Sequence, residues 1–332
     1  MEIIMNRVNF CIPPIKCYAH HAFPLGVILT NGNAKDWFFC NYSYIYFGGD
    51  MNQYNFLAQY SNMPFLYQRD IYKEEFDSGM TMEDYHQWIK KQIEKGYAVL
   101  LFADRFYLPD SDNYQKEHYP HEILIVGYEN ELCIYWDYAG QMLKECRCTW
   151  NNIMVSSDKY YKGKDRIAKL YAAEDGEFQY DEKFIWRQIK DYFNSYNPYD
   201  ALAVWGKYHC YKDFIFGRDA NKCLANLWQE TERIDIRYAD AFYEHKKCMR
   251  MRLEYAAKRK DGLGIITKAD LEFWKQTEQR SNILLNMVLK YNIINWEGVH
   301  SERLFVNIMN EFRQICVAED EWMGKIVEGI CL

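Results

Sequence analysis

The stretch HEILIVGYENELCIYWDY, His121 to Tyr138, opens on an imidazole and nearly closes on a carboxylate, with apolar and polar residues alternating around a short tip. Tyr128 and Leu132 flank Glu129-Asn130-Glu131, so strands 121–128 and 132–138 are expected to close as a tight hairpin. That register leaves His121 and Asp137 within about a residue of directly opposite, where cross-strand side chains approach to roughly 5 Å. An aspartate there accepts the imidazole Nδ1 proton, fixes tautomer and ring orientation, and leaves Nε2 to act as a base. A dyad of this kind needs a nucleophile. Cys17 fits best, because it follows Pro13-Pro14 and a helix that includes Tyr18, Ala19 and Ala22 is expected to start beside it. A helix N-terminus favours thiolate, and the Cys17 N–H can donate to an oxyanion. Cys11, ahead of the prolines, is the weaker candidate, while Cys40, Cys133, Cys146 and Cys148 lie in apolar or strand contexts that suit inert packing. The competing reading is a packed thiol and an ordinary surface His–Asp hydrogen bond.

The elements that must position these groups divide the chain in two. Up to about Ser156 the pattern is α+β: an apolar stretch from Cys17 that forms a helix bent at Pro24, then a helix over Thr81–Tyr97. The latter has Thr81 as N-cap, apolar positions Tyr85, Trp88, Ile89 and Ile93, and Gly96 as its stop. AVLLFADRFYLP reads as a buried strand running into a loop at Pro109, followed by the hairpin. Beyond Lys159 the pattern turns helical, with segments expected at 181–195, 219–258, 267–291 and 301–328. Hence the expected domains are 1–156, carrying the site, and 157–332, a mainly helical region packed on it.

Composition narrows the function. The 332 residues are 49% hydrophobic and 17% aromatic, enough for a sizeable core, and the formal charge of −7 argues against a general nucleic-acid binder. Eleven cysteines without CxxC pairs do not form a disulfide framework or zinc ribbon, so no metal site is expected. The opening residues lack a signal-peptide pattern and no window is long and apolar enough for a membrane span, so the expectation is a soluble cytoplasmic protein without a membrane partner.

The order of these motifs resembles the papain-like cysteine peptidase superfamily. AVLLFADRFYLP followed by a polar loop and HEILIVGYENELCIYWDY is similar to the N-terminal domain of the butirosin biosynthesis acyltransferase family, BtrH, over roughly residues 8–145. The Tyr- and Trp-rich chain also resembles the papain-like amide synthase of closthioamide biosynthesis. What the resemblance implies is a papain-like fold that moves an acyl group from the phosphopantetheine thioester of a carrier protein to an amine, with no bound cofactor. Cys17 then takes the nucleophile position, His121 the base and Asp137 the orienting acid. Asp104, Tyr107 and Pro109 match the family's DxxYLP element and are expected to shape the acyl cleft. Ile15-Lys16 stands where the family often has Gly and His, and Asn9 is the nearby amide side chain that would serve an oxyanion hole.

A carrier is usually acidic, so docking calls for a cationic surface. Lys246, Lys247 and Arg250, within a run of cations ending at Lys260, are the expected docking group, against the alternative of a plain solvated helix face. Trp37, Tyr42, Tyr44 and Tyr46 serve equally as an aromatic acyl pocket or as core packing. Beside the amide synthase stand a cysteine peptidase or amidase, which uses the same triad with water, and a binding scaffold that has lost its chemistry.

Overall fold

The computed structural model describes residues 5–49, 53–57, 64–72, 81–140, 142–161, 168–200, 213–231, 234–259, 264–298 and 301–329. Along the chain run β1 (Met5–Arg7), α1 (Ala19–Ile28), α2 (Ala34–Asn41), β2 (Ile45–Gly48), β3 (Gln53–Phe56), β4 (Leu66–Ile71), α3 (Met82–Glu94) and β5 (Ala98–Asp104). There follow β6 (Pro120–Glu129), β7 (Leu132–Ala139), β8 (Met142–Thr149), α4 (Trp150–Tyr161), β9 (Ala168–Ala173) and α5 (Glu182–Phe193). The last elements are β10 (Ile215–Phe216), α6 (Gly217–Glu230), α7 (Ile236–Lys258), α8 (Lys268–Trp296) and α9 (Glu302–Gly329). The class is α+β with antiparallel sheet pairing, as expected.

Two compact units emerge, residues 1–34 with 59–177 and residues 35–58 with 178–332. In place of the expected single cut at 156 the chain crosses between the units three times, for two reasons. First, β9 pairs with both β4 and β5, which keeps the chain in the first unit beyond 156. Second, β2 pairs with β3 and with β10, which draws residues 35–58 to the helices.

In the first unit the strand order is β4-β9-β5-β6-β7-β8, with β1 added to the far end of β6. Tyr85, Ile89 and Ile93 of α3, together with Trp150 and Ile153 of α4, bury one sheet face with Val99, Leu101, Ile123, Ile125 and Tyr135. Each fully buried side chain of this size contributes about 1.5–3 kcal/mol. Helix α3 starts as expected: Thr81 accepts from Asp84 N, and the Asp84 carboxylate accepts from Thr81 N at 3.0 Å. On the chain's N-terminal side, Phe10 packs on Trp136 with centroids 4.5 Å apart, and Cys11 N donates to Gly26 O at 2.9 Å. Pro24 lies inside α1, where it removes the bond to the His20 carbonyl.

The hairpin has a tighter tip than expected. Glu129 pairs with Leu132, and Asn130 takes φ +50° in a two-residue turn. A bulge then intervenes: Tyr128 pairs with Cys133, whereas Leu124 pairs with Trp136, so one extra residue lies in β6 between Ile125 and Gly127. At Gly127 strand β1 passes so closely that a Cβ would stand 2.7 Å from Asn6 O.

The second unit is helical around α7, which is an interior helix rather than a surface one. The expected helical segment 219–258 is two helices, because Thr231 is extended and Asp235 caps α7 by accepting from Arg237 N at 2.9 Å. Lys246 is wholly buried, donates to both Glu319 oxygens at 2.6 and 2.8 Å, and approaches Tyr192 Oη and His245 Nδ1. Arg250 is paired with Glu278 and with Glu254. The proposed docking group of Lys246, Lys247 and Arg250 is therefore corrected: Lys246 has no surface, Arg250 is neutralised by two carboxylates, and Lys247 is only half-buried between them. Trp37 meets Tyr42 edge to face, Tyr44 donates to Asp191 at 2.7 Å and Tyr46 stacks on Phe214. Their contacts favour the packing alternative.

Gly127→Ala should destabilise the protein by about 1–3 kcal/mol, since the collision is with backbone that cannot swing aside. Urea denaturation of the variant and wild type measures the difference.

Candidate active site

His121 stands at the head of β6, opposite Ala103 of β5, with its side chain 29% exposed. The register at Leu124–Trp136, carried toward His121, sets Asp137 on the His121 face of the sheet but diagonal to it rather than opposite. Asp137 Oδ1 lies 3.9 Å from His121 Nδ1, beyond hydrogen-bond distance. The direct Asp137–His121 bond expected from sequence is thus corrected, and Arg105 is the reason. Two residues beyond Ala103, it reaches over the start of β6 and grips both carboxylate oxygens, Nε to Oδ2 at 3.0 Å and a terminal nitrogen to Oδ1. The pair is almost dry, with side chains 9% and 2% exposed. Burial raises the Asp137 carboxyl above the ordinary carboxylate value, against the pull of Arg105 and of the Tyr138 N–H at 2.7 Å.

The same guanidinium nitrogen lies 3.1 Å from His121 Nδ1, which is also 2.9 Å from the Glu122 carbonyl. A guanidinium only donates and a carbonyl only accepts, so these contacts belong to different tautomers. With the proton on Nδ1 the ring donates to Glu122 and Nε2 is the base. With the lone pair on Nδ1 it accepts from Arg105 and carries its proton on Nε2.

The loop that delivers Arg105 is tied by Asp104. Its carboxylate accepts from Phe106 N and Tyr119 N at 3.1 Å each and meets His118 Nδ1 at 2.6 Å. Arg105 N donates to Tyr119 O at 3.0 Å, and the guanidinium lies over the Tyr119 ring, which in turn stacks on His121. Tyr107 turns its ring to Phe106 and His118 and offers its carbonyl to Asn152 at 3.1 Å. Asp104 and Tyr107 thus build the loop around His121.

Cys17 is nearly buried and lies just before Tyr18, the N-cap of α1, so the helix begins two residues later than the expected start beside the thiol. Tyr138 links this segment to the base: its hydroxyl donates to the Lys16 carbonyl at 2.6 Å, and its ring meets His121 edge on, centroids 6.0 Å apart. Phe23 of α1 packs on the same ring. Burial pushes the thiols of Cys11 and Cys40 up and those of Cys146 and Cys148 to about 12, as befits packed, unreactive sulfur. Asn9 is exposed, between Val8, bonded to Val126, and Cys11, bonded to Gly26.

Arg105 and Tyr138 escaped the sequence reading. Arg105 had a signal in the β5–β6 pairing: with Ala103 opposite His121, the residue two further on falls on the same side. No protein-family model and no curated protein matches this chain.

Tyr138→Phe keeps the ring and loses the bond to Lys16. A stability loss of about 0.5–1.5 kcal/mol is expected, read by chemical denaturation. The same variant should change the rate at which Cys17 is alkylated, followed by peptide mass mapping.

Proposed function

We propose that the chain is a papain-like acyltransferase that forms amides, taking an acyl group from the phosphopantetheine thioester of an acyl or peptidyl carrier protein through Cys17 to an amine. The observation that carries this reading is Tyr138, which touches both the residue preceding Cys17 and the His121 ring. Support also comes from the place of Cys17 directly ahead of α1.

In the proposed reaction His121 Nε2 takes the Cys17 proton while Sγ attacks the thioester carbonyl. The new Sγ–C bond forms, the donor S–C bond breaks, and the proton leaves with the donor thiol. An amine then attacks the acyl-enzyme, gives its proton to His121, and the Sγ–C bond breaks with return of that proton to sulfur. Thioester exchange is close to neutral in energy, so catalysis lies in positioning the amine and excluding water. The donor supplies the activation, and this reading requires neither metal nor bound cofactor. Asn9 as an oxyanion donor, and the cytoplasm as the place of action, remain parts of the proposal. Among the described residues no helix is long and apolar enough to cross a membrane.

Intact-mass spectrometry tests the reading with N-acetylcysteamine thioesters and acyl-loaded carrier, followed by diamines. Wild type should gain the acyl mass and lose it to amine as amide, Cys17→Ala should gain none, and His121→Ala should react roughly 10²–10⁴-fold more slowly. Discharge by water without need of amine would replace the transferase by a hydrolase. An unlabelled Cys17 across a broad donor panel would sink the assignment.

A further inference from the structure

We propose that Arg105 makes this site selective for activated thioesters over amides: lodged between Asp137 and His121, its guanidinium opposes protonation of the imidazole, so Cys17 rests as a thiol. The inference builds on the reading of Cys17 and His121 as nucleophile and base.

A thiol-imidazole site that cleaves unactivated amides depends on the ion pair of thiolate and imidazolium, which a carboxylate behind the imidazole stabilises. Here that carboxylate is already bound on both oxygens by Arg105. A guanidinium nitrogen lies 3.1 Å from Nδ1 and the carboxylate oxygen lies 3.9 Å from it. Around the ring stand the phenol rings of Tyr119 and Tyr138 and the Glu122 carbonyl. On the next strand Lys144 stands opposite Asp137, and Asp112 adds negative charge that acts on Asp137. An imidazolium would therefore face a cation on its Nδ1 side, while the compensating anion is shared with that cation.

The chain holds a second imidazole in the same predicament. His245 Nδ1 lies 3.3 Å from Lys246 Nζ, and burial together with that ammonium holds its pKa well below the usual histidine value.

Selectivity follows from the leaving group. A carrier thiol departs as a thiolate about as easily as Cys17 does, so the tetrahedral intermediate collapses forward with only the proton first lent by Cys17. An amide nitrogen must be protonated before it leaves, and the group that would do so is the imidazolium that Arg105 disfavours.

The test is an NMR titration of the histidine rings in wild type, Arg105→Met, Arg105→Gln and Arg105→Lys. Alongside it run Cys17 alkylation by iodoacetamide against pH, and turnover of matched thioester and anilide substrates. In Arg105→Met, His121 should titrate roughly 1–3 pH units higher than in wild type. Alkylation at neutral pH should rise about tenfold or more, and the anilide-to-thioester rate ratio should increase. Arg105→Gln, which still donates hydrogen bonds to Asp137, should shift His121 in the same direction and serves if Arg105→Met does not fold. Arg105→Lys should stay near wild type because it keeps the charge. An unmoved His121 in the folded neutral variants, or an equal shift in the Lys variant, overturns the role of Arg105 while leaving transfer intact. Failure of Cys17 to take an acyl group is a separate result and removes the transfer reading instead.

Discussion

One extra residue in β6 decides where Asp137 points. Near the tip, Tyr128 faces Cys133; past the bulge, Leu124 faces Trp136. Had the tip register continued unbroken, Asp137 would have stood opposite Leu124 and turned away from His121, because a one-residue slip reverses every side chain on a strand. The bulge restores the face that His121 shares, and with it the chance for Arg105 to span the two. Gly127 at this point lets β1 approach within a distance that a Cβ would not permit, so the irregular strand is still paired on its other side. The Arg105–Asp137–His121 contacts at one end of the sheet therefore depend on backbone geometry toward the other end of the same strand.

Burying Asp137 would cost several kcal/mol if it stood alone, and Arg105 changes that cost into a constraint. A bidentate guanidinium is rigid, so once its loop is fixed the carboxylate is fixed as well. Asp104 fixes the loop from one side by binding two backbone amides and His118, and the Arg105–Tyr119 backbone bond closes it from the other. Consecutive residues at the end of β5 thus have divided tasks: the first shapes the backbone, the second carries charge to the site. This division accounts for the polar groups at the start of the DRFYLP stretch.

Much of the first unit was legible in the sequence because its signals are local. The capping box of α3, the spacing of Tyr85, Ile89 and Ile93, and the alternating strands around a polar tip each depend on neighbours a few residues away. The polar ends of the hairpin were legible for the same reason, but the bulge was not, since Val126 and Gly127 continue an apolar run without interruption. AKLYAA was read as part of a helical region and becomes β9 only because β4 and β5 flank it. Lys246 misled most: it sits in a cationic run that looks solvated, and its partner Glu319 is 73 positions away. A charge pattern within one helix cannot reveal a carboxylate supplied by another.

The comparison of His121 with His245 separates what makes an imidazole available from what makes it neutral. Both have a cation close to Nδ1, Arg105 in one case and Lys246 in the other. His245 is fully buried and its Nε2 donates to the Ser43 carbonyl at 3.1 Å, so its tautomer is set at both nitrogens and the ring is a structural part. His121 has two competing partners at Nδ1, a donor and an acceptor, and keeps 29% of its side chain exposed. The two partners serve the two neutral tautomers, because Glu122 O accepts when Nδ1 is protonated and Arg105 donates when it is not. In the role proposed for it, His121 keeps Nδ1 donating to Glu122 O while Nε2 takes and returns the proton. His121 can leave Nε2 without a proton in one tautomer and His245 cannot, so neutrality alone does not distinguish the two rings; the pair of opposed partners does.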